Sequence, residues 1–167
     1  VLSLIETALA LSDYRIPPRE IQTLIDWGKA MIAHTIQLIR GVPTALNRIK
    51  PHFTLILITK GDLFDQENKL ACSGLASYFK FVEVVSEKNP AVYQSILKRY
   101  NWAPREFIMA GNSLRSDVLP LIEIGSNAVH IPFHTAWVLE EAEPLKSHRV
   151  RYFELGHIGA LADLLCP

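Results

Sequence analysis

Cysteine is scarce in this chain. Cys72 and Cys166 are the two among 167 residues, far apart and in no zinc or redox spacing. That argues against a disulfide framework and makes a reducing cytoplasm the expected setting. Long apolar runs are also lacking: none approaches the ~20 residues that span a bilayer, and no signal-peptide pattern occurs in these residues. No membrane partner is expected. Net charge is absent, since 17 Lys and Arg balance 17 Asp and Glu. The electrostatic footprint that nucleic acid or an anionic surface requires is therefore missing. No GxGxxG follows a predicted strand and no GxxxxGK[ST] occurs, so dinucleotide binding and P-loop chemistry lose their main support. Repeats and low-complexity tracts are missing too.

What is present is apolar: 49% of residues, enough for a packed core in one domain with room for a small appendage. Val1, Leu4, Ile5, Ala8, Leu9 and Leu11 recur at helical spacing, which predicts a helix over residues 1–12 with one buried face. Pro18 suits the first turn of a second helix. Ile21, Leu24, Ile25, Gly28, Met31, Ile32, Thr35, Ile36 and Ile39 extend that helix to Arg40, about six turns. Gly41 and Pro43 stop it. The two helices form a hairpin or part of a bundle. Trp27 and His34 can pack within it or face a pocket. The chain opens at Val1, inside a helical pattern and without Met, so a missing beginning is expected.

After Gly41 strands alternate with helices, which predicts βαβ units and a mostly parallel sheet, an α/β fold. A short helix over 43–50 precedes the apolar run Phe53-Thr54-Leu55-Ile56-Leu57-Ile58-Thr59, which reads as a strand buried on both faces. Asp62 caps a helix to about Cys72, and Gly74 closes it. Phe81 to Val85 is the next strand; Asn89 caps and Pro90 starts a helix bearing Tyr93, Ile96, Leu97 and Tyr100. Residues 107–110 form a strand that stops at Gly111, followed by a polar turn and a helix from near Asp117 to Glu123. Ala128 to Ile131 is a strand, Val150 to Phe153 an edge strand, and 157–165 a closing helix.

Three strand ends carry chemistry. In an open parallel sheet the carboxyl ends of the strands form the ligand edge. Thr59 offers a hydroxyl and nearby backbone N–H groups for an anion. Lys88 can neutralise phosphate charge. Asn112 and Asp117 are hard-oxygen donors suited to Mg²⁺. Taken singly, Lys88 is an ordinary surface lysine before a capped helix, and Asp117 an ordinary helix cap. Together they are an inventory for stabilising charge on a phosphoryl group. His130 and His134 form no aligned metal pair, because Pro132 breaks the spacing, and a structural or surface role is expected for them. Arg115 is expected to point into water. Trp137 either lines the pocket mouth or anchors its loop.

At this point the sequence resembles the haloacid dehalogenase (HAD) superfamily. Leu55-Ile56-Leu57-Ile58-Thr59-Lys60-Gly61 is similar to its second motif, Lys88 in Ser86-Glu87-Lys88-Asn89-Pro90 to its third, and Gly111-Asn112-Ser113-Leu114-Arg115-Ser116-Asp117 to its fourth. The resemblance spans about residues 41–135. It implies a Rossmann-like core over 41–167, a helical cap segment over 1–40, Mg²⁺ as cofactor, and hydrolysis of a small phosphorylated substrate. Thr59 and Lys88 would be catalytic, Thr59, Lys60 and Lys88 would bind phosphate, and Asp117 and Asn112 would serve the metal.

One departure is large. The family's first motif, Asp-x-Asp-x-Thr, which carries the nucleophile, does not occur. Asp13 is followed by Tyr14 and Arg15, and Asp26 by Trp27 and Gly28. The resemblance implies that this strand is central, between those ending at Thr59 and Ala110. Losing it exposes two inner edges, each buried unpaired group costing about 1–3 kcal/mol. The expectation is a core lacking its first strand, a piece of a longer hydrolase with the nucleophile upstream. The competing expectation is a non-catalytic HAD-like module that binds a phosphorylated ligand or a protein. A response-regulator-like domain is a third reading, weakened by the lack of an acidic pair after a first strand. Substrate identity and oligomeric state are not encoded in these patterns.

Overall fold

The computed structural model describes residues 1–32, 36–133 and 152–166. The chain divides into two compact units, Val1–Gln37 and Leu38–Pro167.

The first unit holds α1 (Leu2–Leu11) and α2 (Pro18–Ile32). Asp13 and Tyr14 turn the chain between them with positive φ. Gly28 allows close approach, since a Cβ there would run into the Val1 side chain. Two sequence expectations change here. The helix predicted to reach Arg40 is described only to Ile32, and residues 36–39 are not helical although Ile36 and Ile39 satisfy the apolar spacing. The buried face expected of the first helix is absent. No residue of α1 is buried, Leu11 is 84% exposed, and Trp27 of α2 is 63% exposed. Two short helices alone enclose too little volume for a core. His34 lies outside the described residues.

The second unit alternates as predicted. In order it contains α3 (Val42–Ile49), β1 (Ile56–Lys60), α4 (Leu63–Ser73), β2 (Phe81–Val85), α5 (Pro90–Arg99), β3 (Ile108–Gly111), α6 (Leu119–Glu123), β4 (Asn127–His130), β5 (Tyr152–Glu154) and α7 (Ala160–Leu165). The caps follow the sequence signals. Asp62 accepts from Asp65 N–H at the start of α4, and Gly74 ends it in the left-handed conformation. Asn89 accepts from Val92 N–H at the start of α5, with Pro90 next. The helix expected near Asp117 is preceded by a wide π-helical turn, Leu114–Val118, before α6.

Among the described residues every strand pair is parallel, but the strands fall into two sheets, β1-β2 and β3-β4-β5. Among the described residues the second edges of β1 and β3 carry no ladder. The break changes burial. The apolar runs over 53–59 and before Gly111 predict strands buried on both faces. Instead Ile58 is the single buried residue of β1, Phe53 is 39% exposed, and β3 is half-buried throughout. A parallel strand with a neighbour on one side only leaves part of its apolar surface open. Around β4 the doubly covered arrangement is complete. Ala128 joins a core with Tyr93, Leu97, Val118 and Leu121 on one face, while Val129 joins Ala45, Ile49 and Leu161 on the other. Successive strand residues point to opposite faces, and both of these are fully buried. Among the described residues no helix is long and apolar enough to cross a membrane.

Candidate functional site

Two loops meet at the carboxyl ends of the strands. β2 ends at Val85, and Lys88 follows, immediately before the Asn89 cap. β3 ends at Gly111, and Ser113 caps the following turn by accepting from Ser116 N–H at 2.9 Å. That turn carries Asp117 back over the strand end. Gly111 makes this possible, because a Cβ there would occupy the space of the Asp117 carboxylate. Asp117 Oδ2 accepts from Ser113 N–H at 3.1 Å. Its Oδ1 accepts from Lys88 Nζ at 2.7 Å, with side-chain exposures of 6% and 12%. Residues 29 apart in sequence thus form a buried ion pair. Such a pair couples two elements tightly, since removing either partner strands a buried charge.

The pair has a rigid base. Tyr93, on α5, donates its hydroxyl to the Ser116 carbonyl at 3.0 Å and is buried. Burial, and then the nearby Asp117 charge, push the Tyr93 phenol far above its ordinary range. It stays a neutral donor.

Thr59, near the end of β1, lies opposite Val84 in the β1-β2 register. Its hydroxyl donates to Gln66 Oε1 at 2.8 Å. Gln66 Nε2 donates to Asp65 Oδ2 at 3.1 Å, and Lys69 Nζ donates to the same oxygen at 2.6 Å. Lys60, the last residue of β1, is exposed. Asn112 is exposed too, and its backbone carbonyl lies 3.2 Å from His130 Nε2. His130 ends β4, with Nδ1 buried and 3.8 Å from Glu154 Oε2. Its sequence partner His134 lies outside the described residues, as does Trp137. Arg115 is exposed. A cavity of about 780 Å³ opens beside β3, lined by Ile39, Gly41, Gly111, Asn112, Phe133 and Ile158 among others.

Of the residues singled out in the sequence, Lys88 and Asp117 are joined directly, and Thr59 is engaged with Gln66. Among the described residues no three His, Cys, Asp or Glu side chains converge as a metal cluster. The donor chemistry still fits part of a Mg²⁺ sphere, which takes one or two carboxylates, with water and substrate oxygens completing it. Asp117 would supply the carboxylate, and the bare Cα of Gly111 makes the space that side chain occupies. Sequence reasoning misses Gln66, Tyr93 and the Ser113 N–H as members of the site. Gln66 carries one faint signal, a polar residue one helical turn beyond the Asp62 cap and therefore near the strand end.

This geometry, parallel strands with a lysine–aspartate pair at their carboxyl edge, defines a Rossmann-like α/β core. No protein-family model matches the sequence. Among solved structures, a haloacid dehalogenase-like family hydrolase from Xanthomonas campestris is 37% identical, with a TM-score of 0.85 over 98% of this chain and 69% of that one. A HAD phosphatase from Thermococcus onnurineus shares the fold at 21% identity and a TM-score of 0.65, over 95% of this chain and 68% of that one. Human N-acylneuraminate-9-phosphatase is 25% identical over 145 residues, 83% of this chain and 56% of that protein. The chain therefore spans little more than half the length of that curated relative. It belongs to the haloacid dehalogenase-like hydrolase family.

Proposed function

We propose that the complete protein is a Mg²⁺-dependent phosphomonoester hydrolase acting on a small phosphorylated substrate in the cytoplasm. The buried Lys88–Asp117 pair at the strand edge carries this reading. On it, Lys88 neutralises phosphoryl charge and orients the nucleophile, Thr59 and Lys60 bind phosphate oxygens, and Asp117 with Asn112 holds the metal. When bound, Mg²⁺ would supply electrostatic stabilisation of the phosphoryl oxygens. The phosphatase relative supports a phosphate ester as the substrate class.

The chemistry also needs a nucleophilic carboxylate. It attacks phosphorus as the P–O ester bond breaks, the departing alkoxide takes a proton from solvent water or a general acid outside this sequence, and a second water then hydrolyses the aspartyl-phosphate to inorganic phosphate and the free carboxylate. This chain contains no Asp-x-Asp-x-Thr triplet. Among the described residues the second edges of β1 and β3 carry no ladder, so one further strand would pair there, and we place the nucleophile on it, on residues outside this sequence. The lack of the triplet also favours the second reading, a non-catalytic module that binds a phosphorylated ligand.

Hydrolysis of p-nitrophenyl phosphate, with and without Mg²⁺, separates the two. The assay compares this chain with a form extended upstream. Activity in the extended form alone, abolished by Asp117→Ala, is the expected result. Inactivity of both, with the fold retained and phosphate bound, would establish the binding module instead.

A further inference from the structure

Thr59 has one hydroxyl proton, and in this structure it is already committed. The Asp65 carboxylate can only accept hydrogen bonds, so it orients the Gln66 amide with its NH₂ toward Asp65. The Gln66 carbonyl then faces Thr59, whose hydroxyl donates to it at 2.8 Å. Lys69 anchors Asp65 from the next turn of α4 at 2.6 Å. The amide is also held against the strand-end turn. Gly61 has φ +148, and a Cβ there would lie 2.9 Å from Gln66 Nε2.

We infer that Gln66 is an affinity-setting residue that competes with a phosphoryl group for the Thr59 hydroxyl proton. The inference rests on the phosphatase reading proposed above. A phosphate oxygen needs a donor, and Thr59 presents lone pairs to any ligand while its proton points at Gln66. Binding therefore requires the hydroxyl to rotate and abandon the Gln66 carbonyl. Turning the amide over would not relieve the conflict, because it would set the Gln66 carbonyl against the Asp65 carboxylate. The Thr59 oxygen itself stays in place without Gln66, since a β-branched side chain in a strand has few rotamers. The function of this competition is to keep anion and product binding weak.

The test is a double-mutant cycle read by calorimetric titration of inorganic phosphate into the full-length protein with Mg²⁺ present. Gln66→Met keeps the length and packing of the side chain but removes the acceptor. It should tighten phosphate binding about three- to tenfold, the worth of one neutral hydrogen bond. In a Thr59→Val background the same change should have no effect, because no proton is left to compete for. Gln66→Leu should repeat both results, and thermal midpoints check that each variant folds. Unchanged or weaker binding in Gln66→Met overturns the inference, as does a gain that persists with Thr59→Val. Failure of the unsubstituted protein to bind phosphate at all would overturn both this inference and the phosphate site proposed above.

Discussion

Lys88→Met tests the linkage between the two loops of the site. The Asp117 side chain is 6% exposed, and Lys88 is its counter-charge at 2.7 Å. Met matches the lysine stem in length but brings no charge. The substitution leaves Asp117 buried with the Ser113 N–H as its remaining partner from the loop. Breaking a buried pair from one side costs about 3–5 kcal/mol. The double variant Lys88→Met/Asp117→Asn should behave differently. The introduced asparagine fits the same space over Gly111, its amide oxygen still accepts from Ser113 N–H, and no charge is left buried. Most of the loss should be recovered, because the cost lies in the stranded charge rather than in the absent attraction. Urea unfolding with unchanged slope reads both values from the midpoints. A loss below about 1 kcal/mol for Lys88→Met would place the pair in the class of solvent-screened ion pairs and refute the reasoning. A double variant less stable than the single would refute it too.

Gly111→Ala should lower stability by about 1–3 kcal/mol, the usual cost of overpacking, and should weaken Mg²⁺ binding by displacing the Asp117 carboxylate; calorimetry and metal titration check the two effects. Tyr93→Phe should cost about 1 kcal/mol through the lost bond to the Ser116 carbonyl, measured by urea unfolding. Tyr93 also has a pH signature. Its folded pKa lies above the unfolded value of 10.0, so the folded state holds the proton more tightly. The stability this confers is fully present below pH 10 and is lost as pH rises above it. The Tyr93→Phe protein should therefore show a shallower alkaline loss of stability, and absorbance of the phenolate should show Tyr93 ionising only with unfolding.

Local signals in the sequence are strong where one residue does one job. Asp62 and Asn89 cap, Gly74 terminates, and Pro90 opens a helix, each by chemistry confined to a few neighbours. The order of strands and helices along 56–130 is legible for the same reason. Distant pairings are not. Nothing near Lys88 indicates that its ammonium reaches Asp117, although both stand out as residues of one sheet edge. Burial of the strands is overestimated because an apolar run reports what a strand can bury, not whether a neighbour is there to cover it. Ile58 is buried, yet Phe53 and Val82 are 39% and 40% exposed. The second helix is overextended because Ile36 and Ile39 continue its periodicity, and apolar periodicity alone does not mark where a helix ends.

The charge balance at the strand edge bears on why a metal is required on the proposed reading. Lys88 and Asp117 neutralise one another, so the ammonium is not a spare positive charge waiting for a ligand. A phosphate monoester brings roughly one and a half to two negative charges. Delivered beside a neutral pair, with Thr59 facing it through lone pairs, that charge would meet little net attraction. Drawing Lys88 toward the phosphoryl group alone would strand Asp117, at the cost argued above. If Asp117 held a divalent cation, its carboxylate would have a counter-charge other than Lys88, and the Lys88 ammonium would be available to the phosphate. Metal and phosphate should therefore bind cooperatively, each strengthening the other by the same factor. In the Lys88→Met protein that coupling should shrink, since the released cation is gone. Phosphate affinity that does not depend on Mg²⁺ in the unsubstituted protein would contradict this account.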